Sequence, residues 1–219
     1  MPRAFQTGFF VIFAALLIYS QDVTPPTVTF TLDFPTSQPE HYSIRVQSDG
    51  SSHYESSGRL SPDSDETDSF DLDFRVSDET RQKIFDLAAK ANYFRKDVDS
   101  HRKGLASTGK KILSYKDDQR SGEATYNYSA NPAVRALTSL MQSLSSTLEF
   151  GHRLQYDLRY QKLALEEELK RMEETAHSSG LPEIAAIEAI LNQIVADPSV
   201  VNVSRARAQR LLERIRPGH

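Results

Sequence analysis

The chain has 219 residues, a formal net charge of −4, 38% hydrophobic and 26% charged residues, and no cysteine. This composition predicts a globular protein of one domain, or of one domain with an appendage, and it excludes a disulfide framework, thiol catalysis and a thiolate metal site. The mild net charge gives no reason to expect a nucleic acid as a partner.

The N-terminal segment has the layout of a signal peptide. Arg3 precedes an uncharged, largely apolar run at residues 9–19, and Ser20 offers a small residue at a cleavage site. The run is shorter than the roughly 20 apolar residues that span a bilayer. We therefore expect residues 1–20 to be a cleaved signal peptide and the protein to be exported, periplasmic or extracellular, with no transmembrane span after cleavage. The alternative is that the segment stays uncleaved and tethers the protein to a membrane.

A linker at residues 21–27 leads into a strand-rich domain at residues 28–130. Alternation of apolar and polar residues predicts three strands, near residues 28–34, 42–47 and 70–76. Asp49-Gly50 predicts a hairpin turn after the second of these strands, with residues 52–56 as the returning partner strand, and residues 57–68 form a polar, acidic loop. Ser77 predicts the N-cap of a helix. Further alternation at residues 111–115 and 124–128 predicts a second hairpin.

A helical region follows at residues 131–219. Asn131 and Pro132 suit the N-cap and first turn of one very long helix, or of two helices nearly in line, whose apolar stripe continues to residue 176. Gly151 is the weak point of this long helix, so we expect a bend there.

Two shorter helices complete the chain, at residues 182–196 and 204–215, and Ser204 is expected to cap the second. A short turn at residues 178–180 predicts that helix 182–196 packs as the antiparallel neighbour of the long helix. The fold class is therefore α+β: an antiparallel sheet of about six strands packed on a helix, followed by the long helix and a C-terminal helical hairpin.

Two short motifs fit catalytic patterns without the context that these patterns need. Residues 104–111 match the phosphate loop G-x-x-x-x-G-K-[ST] except that Lys111 replaces the hydroxyl residue, and a strand, not a helix, is predicted to follow. Ser100 and Ser107 each begin an S-x-x-K tetrapeptide, which is too loose to indicate acyl transfer without its companion motifs.

Acidic residues of the strand-rich domain are candidates for an acid pair or a cation site. Asp71 and Asp73 share one face of a strand, where they form either an acid pair or a solvated outer face. A loose calcium site is a further option, although the EF-hand glycine and closing glutamate are missing. Its ligands would be Asp63, Asp65, Glu66 and Asp68. We assign no catalytic residue, no cofactor and no metal ligand.

Two groups of residues in the helical region are candidates for contact with a partner. The arginines of the last helix suit the negative end of the helix dipole, and they also offer a salt-sensitive contact with an acidic surface. Anionic lipid, a partner or another copy could supply that surface, since residues 22–79 carry 13 acids and 3 bases. Aromatic residues in the second half of the long helix either dock the tail on the sheet or form an interface, including a homodimer. The candidates are Arg205, Arg207, Arg210, Arg214, Phe150, Tyr156 and Tyr160.

Part of the chain resembles small exported bacterial domains of unknown function. The resemblance rests on the strand Tyr42–Val46, the Asp-Gly turn after it, the helix Ile84–Ala88 with Tyr93-Phe94 beyond it, and the following hairpin. It covers about residues 40–145 and leaves the helical tail outside. It implies export and a layout of strand hairpin, strand, helix, hairpin and helix, and it implies no activity.

Two functions remain open. We expect a non-catalytic binding or scaffold module of the bacterial envelope, with a protein or an envelope component as its partner. The alternative is an envelope hydrolase in which Asp71 and Asp73 serve as general acid and base. A concave pocket lined by carboxylates with perturbed pKa values would favour the hydrolase, and a flat or grooved apolar surface would favour the module.

Overall fold

The computed structural model of the protein describes residues 24–59 and 66–215. The predicted signal peptide, half of the predicted linker, Asp63 and Asp65 lie outside these residues. The strands are β1 (Thr27–Asp33), β2 (His41–Gln47), β3 (Ser51–Arg59), β4 (Thr67–Arg75), β5 (Lys110–Lys116) and β6 (Ser121–Tyr126). The helices are α1 (Asp78–Lys90), α2 (Pro132–Tyr160), α3 (Leu165–Ser178), α4 (Glu188–Ala196) and α5 (Asn202–Glu213). The fold is α+β, with one antiparallel six-stranded sheet.

The sheet has the strand order β4-β3-β2-β1-β5-β6, so β1 lies at its centre. In β1, Phe30 pairs with Ile44 on one side and with Leu113 on the other. Residues paired across strands point to the same face of a sheet, and all three side chains are fully buried. This face is therefore the inner face, which α2 and α1 cover, whereas Thr29, Thr31 and their neighbours form the opposite, more polar face.

The predicted hairpins are confirmed. Gly50 adopts φ 88°, a left-handed conformation that glycine accepts without strain, and Asp49 Oδ1 accepts a hydrogen bond from the Ser51 amide at 2.8 Å. The strands β3 and β4 reach further than alternation indicated, because Gly58 pairs with Asp68 inside the segment that was expected to be loop.

The caps of the two sheet-facing helices are also confirmed. Ser77 Oγ accepts a hydrogen bond from the Thr80 amide at the start of α1, and Asn131 Oδ1 accepts one from the Ala133 amide at the start of α2. Each cap satisfies a helix N–H that has no partner within the helix.

The long helix is interrupted at a different place from the one expected. α2 continues through Gly151 and ends at Tyr160, and α3 begins at Leu165, so the single helix 131–176 was wrong, two helices are present, and the interruption follows Tyr160 and not Gly151. Gly151 is present because Ile187 packs against the helix there: a Cβ atom at position 151 would lie 2.4 Å from Ile187 Cγ2. We call residues 161–164, which separate the two helices, the elbow.

The C-terminal helices also differ from expectation in detail. α5 packs on both α3 and α4, and α3 packs mainly on α2 and α5, so α5 and not α4 is the main cover of α3. The expected helix 182–196 is a 3₁₀ turn, Ile184–Ile187, followed by α4. Ser204 is fully buried inside α5, which begins two residues earlier, so the expected Ser204 cap was wrong.

One continuous cluster of buried apolar side chains joins the sheet, α1, α2 and the C-terminal helices. Within residues 24–59 and 66–215, no helix combines the length and the hydropathy needed to cross a bilayer.

Candidate functional site

A cleft of about 460 Å³ lies where the second half of α2 crosses the edge of the sheet formed by β3 and β4. The end of β3 and the start of β4 form one wall, α2 forms the floor, and α3 returns from the elbow to form the other wall. The lining includes Ser56, Asp68, Phe70, Glu149, His152, Arg153, Tyr156, Asp157, Glu168 and Arg171.

Helical spacing places the central charged residues of the cleft on one face of α2. Glu149, Arg153 and Asp157 follow one another at intervals of four residues, which brings their side chains into line along the helix. Glu149 and Asp157 are eight residues apart, which is roughly 12 Å along the helix axis at 1.5 Å per residue.

Glu149 is a buried carboxylate in the lining of the cleft, with a relative exposure of 8%. Its Oε1 accepts hydrogen bonds from the hydroxyl groups of Tyr54 and Ser56, each at 2.7 Å. Burial raises the pKa of this carboxyl, but His152, Ser56 and Tyr54 together more than offset burial, so that the pKa lies below its ordinary value. Glu149 is therefore ionised at neutral pH.

The second oxygen of Glu149 is less engaged. Oε2 lies 3.9 Å from His152 Nδ1 and 4.0 Å from Arg153 Nη1, both beyond hydrogen-bond distance. Among the described residues, no donor is recorded as forming a hydrogen bond to this oxygen. One oxygen of a fixed, ionised carboxylate thus remains available as an acceptor.

An ion-pair network centred on the buried carboxylate of Glu168 joins the two helical walls. Glu168, at 2% exposure, accepts a hydrogen bond from Arg153 Nε at 2.6 Å through Oε1, and its Oε2 pairs with Arg171 Nη2. The Arg153 guanidinium also lies 4.9 Å from the centre of the Phe150 ring. Because Arg153 belongs to α2 and Glu168 to α3, this pair fixes the geometry of the cleft.

The pKa of Asp157 is shifted in the opposite direction to that of Glu149. Desolvation and the neighbouring negative charge of Glu168 raise the pKa of Asp157, and Arg153 and Arg171 reduce this rise only in part. In the described part of the chain, its carboxylate forms no recorded hydrogen bond. The cleft thus contains two carboxyl groups whose pKa values are shifted in opposite directions, which is a pattern typical of functional sites.

His152 and Phe70 form an apolar part of the wall. Their rings are stacked, with centroids 4.3 Å apart and an interplanar angle of 5°. His152 Nε2 lies 3.4 Å from Asp68 Oδ2, which orients the imidazole ring toward the start of β4.

The carboxylates singled out from the sequence lie elsewhere. Asp71 and Asp73 are exposed on β4, on the face of the sheet that α1 and α2 do not cover, and Asp73 Oδ1 lies 2.7 Å from His53 Nδ1. No group of three or more acidic or histidine side chains within residues 24–59 and 66–215 is arranged to hold a metal ion.

The phosphate-loop-like segment is a structural loop. β5 follows it directly, so no helix N-terminus is present to bind a phosphate. Lys111 is buried, and its Nζ donates to the carbonyl oxygens of Thr108 and Asn127 at 2.9 and 3.1 Å, which ties the loop to the end of β6.

Two of the four candidate arginines, Arg207 and Arg210, form ion pairs within the described part of the molecule. Arg207 pairs with Glu166 and Glu173, and Arg210 Nε lies 2.8 Å from Glu173 Oε1. These contacts hold α5 on α3. Arg205 donates to Asn202 Oδ1, and Arg214 Nη2 lies 2.9 Å from the Nε2 atom of His177.

The candidate aromatic residues fall into two environments. Phe150 is buried in the core, whereas Tyr156 and Tyr160 are 46% and 64% exposed, with ring centroids 5.1 Å apart. Tyr156 also forms part of the rim of the cleft. Leu163, at the elbow, is 85% exposed.

Sequence reasoning missed the residues that matter most in the cleft: Glu149, Asp157 and Glu168. The one available signal was Glu149, which stands between Leu148 and Phe150 beside an otherwise apolar stripe of α2. No protein-family model matches the chain, and a search of curated proteins found no match either.

Proposed function

We propose that the protein is an exported, non-catalytic binding module whose ligand site is the cleft between α2, α3 and the β3–β4 edge. The cleft is concave and contains two carboxyl groups with shifted pKa values, which by the criterion stated above favours the hydrolase. One observation carries the module instead: the central carboxylates are held in place by donors within the protein, and Glu149 and Asp157 lie roughly 12 Å apart along the helix axis. Two hydroxyl groups fix Glu149, and two guanidinium groups fix Glu168. Such preorganisation lowers the cost of ordering a binding site when a ligand arrives.

Nuclear magnetic resonance of backbone amides tests the site directly. The purified protein is titrated with a fragment set containing cationic, anionic and neutral polar compounds of envelope type. We expect the changes in amide chemical shift to cluster on residues of the cleft. Asp71 and Asp73, on the outer sheet face, serve as internal controls whose resonances should change little. If no compound shifts the cleft residues, the proposed function is wrong.

Export rests on the segment of residues 1–20, and the partner is accordingly a protein or another envelope component. Mass spectrometry of the protein from its native host would locate its first residue. We expect Gln21, which follows cleavage after Ser20. An intact Met1 in the membrane fraction would support the uncleaved tether, and an intact Met1 on a cytoplasmic protein would refute export.

A hydrolase is the second candidate, now with other carboxylates than Asp71 and Asp73. The raised pKa of Asp157 and the lowered pKa of Glu149 suit a general acid and a general base. Their separation of roughly 12 Å along one helix exceeds the 6.5–9.5 Å typical of inverting glycosidases, although side-chain reach shortens it. Turnover of a bound envelope compound that disappears in both Asp157→Asn and Glu149→Gln would establish the enzyme over the module.

A further inference from the structure

The cleft contains more negative than positive groups, and its positive groups are already engaged. Among residues 24–59 and 66–215, its lining holds five carboxylates and three guanidinium groups. Arg153 and Arg171 both pair with Glu168, and Arg59 Nε lies 2.7 Å from Glu40 Oε1. An anionic ligand would therefore have to compete with existing ion pairs, whereas a cationic ligand would meet carboxylate groups with spare acceptor capacity.

Two carboxylates along the floor of the cleft retain acceptor capacity, Glu149 and, to a greater extent, Asp157. Glu149 Oε2 has its nearest positive neighbours at 3.9 and 4.0 Å, and the Asp157 carboxylate forms no recorded hydrogen bond to a described residue. Both groups lie on the face of α2 that forms the floor of the cleft. Bringing a positive charge to Asp157 would also offset the repulsion that it experiences from Glu168.

The walls of the cleft suit an apolar stem behind the charged group. The stacked rings of Phe70 and His152 form one side, and the half-exposed ring of Tyr156 forms part of the rim. Aromatic faces pack against the methylene groups of long basic side chains and attract their cationic heads.

We propose that the cleft binds a guanidinium or primary ammonium group on a short apolar stem, presented either as an arginine or lysine side chain of a peptide or as a free alkylamine. The charged head hydrogen-bonds to the Asp157 carboxylate, the stem packs against the aromatic walls, and Glu149, roughly 12 Å away along the helix axis, contributes only longer-range attraction. This inference rests on the proposed function, because it names the ligand class of the same site.

Calorimetry and amide-resonance mapping with matched probes test the proposal. The first pair is Nα-acetyl-arginine methylamide and Nα-acetyl-citrulline methylamide, which differ in charge and hardly in shape. We expect the arginine probe to bind at least about tenfold more tightly than the citrulline probe, as charge-assisted hydrogen bonds predict. Butylguanidine and Nα-acetyl-lysine methylamide separate the free cation from the peptide-borne one.

Matched variants then assign the effect to the cleft. Asp157→Asn keeps the shape of a half-buried side chain and should weaken the arginine probe by at least about tenfold. Asp71→Asn removes a carboxylate from the outer face of the sheet and should leave the affinity unchanged. Because the pKa of Asp157 is raised, affinity should also increase as the pH rises through the acid range, and Asp157→Asn should flatten that increase.

The outcomes separate this inference from the proposed function. Equal binding of arginine and citrulline probes, or equal effects of Asp157→Asn and Asp71→Asn, would overturn the cation proposal. If other fragments shift the cleft resonances while no cationic probe does, the ligand class is wrong and the binding module stands. If no compound of any class shifts them, both proposals fail.

Discussion

The contact between α2 and the 3₁₀ turn Ile184–Ile187 predicts that one added methyl group at position 151 lowers the free energy of unfolding. In Gly151→Ala, the added Cβ would lie 2.4 Å from Ile187 Cγ2 and 3.0 Å from Ile187 Cβ. The backbone fixes the position of Ile187 Cβ, so a rotamer change can move Cγ2 but cannot relieve the contact with Cβ. Overpacking of this kind costs about 1–3 kcal/mol, and the higher helix propensity of alanine returns about 1 kcal/mol. We expect a net loss of about 1 kcal/mol in the free energy of unfolding.

The same substitution should have the opposite sign once its obstacle is removed. In an Ile187→Ala background, the Cγ2 atom at 2.4 Å is absent and only the Cβ contact at 3.0 Å remains, so Gly151→Ala should then gain up to about 1 kcal/mol from helix propensity. The coupling between the two sites is therefore up to about 2 kcal/mol. Urea unfolding of the four proteins measures it, with each variant compared with its own background. Equal effects of Gly151→Ala in both backgrounds would refute the close-packing explanation for this glycine.

Three further predictions concern other parts of the molecule. Lys111→Met removes a buried ammonium and leaves loop carbonyl groups unpaired, so it should cost about 1–3 kcal/mol in urea unfolding, whereas Lys110→Met at the exposed neighbouring position should cost less than about 0.5 kcal/mol. Hydrogen bonds from Lys162 and Ser199 lower the pKa of Asp197 from 3.8 to about 2. The contribution of Asp197 to stability is therefore present above pH 3.8 and is lost as the pH falls through about 2. Asp197→Asn should therefore flatten the acid dependence of the urea midpoint, and an unchanged dependence would contradict this assignment. Tyr156→Ala combined with Tyr160→Ala should leave thermal stability nearly unchanged, because the rings are 46% and 64% exposed, and should abolish any self-association in sedimentation; lost stability in a chain that is always monomeric would mean that the rings only pack the tail.

Features that depend on neighbouring residues could be predicted well from the sequence. Strand alternation follows from the two-residue period of the sheet, and the Asp49-Gly50 turn follows from the left-handed conformation that glycine accepts. The caps at Ser77 and Asn131 depend on side chains that reach only two or three residues along the chain. Local sequence contains all the groups that form these structures.

The features that were predicted wrongly depend on residues far away in the sequence. Glycine is a poor helix former, so Gly151 indicated a bend, but the packing of Ile187 makes glycine necessary within a continuous helix. Ser204 is a good N-cap residue, yet it is the third residue of α5 and is buried within the first turn of the helix. Similarly, the arginines of α5 looked uncompensated because their partners, such as Glu166 and Glu173, lie on another helix.

The sequence by itself determined the α+β class, the positions of the strands and the absence of any cysteine chemistry, because each depends on composition or on short-range periodicity. The cleft was decided only by the tertiary structure. The hydroxyl groups that hold Glu149 come from Tyr54 and Ser56, 95 and 93 residues away, and the guanidinium that fixes Glu168 comes from the preceding helix. A buried carboxylate is stable only where such partners surround it, and no pattern along the chain reveals which distant donors the fold will bring to it.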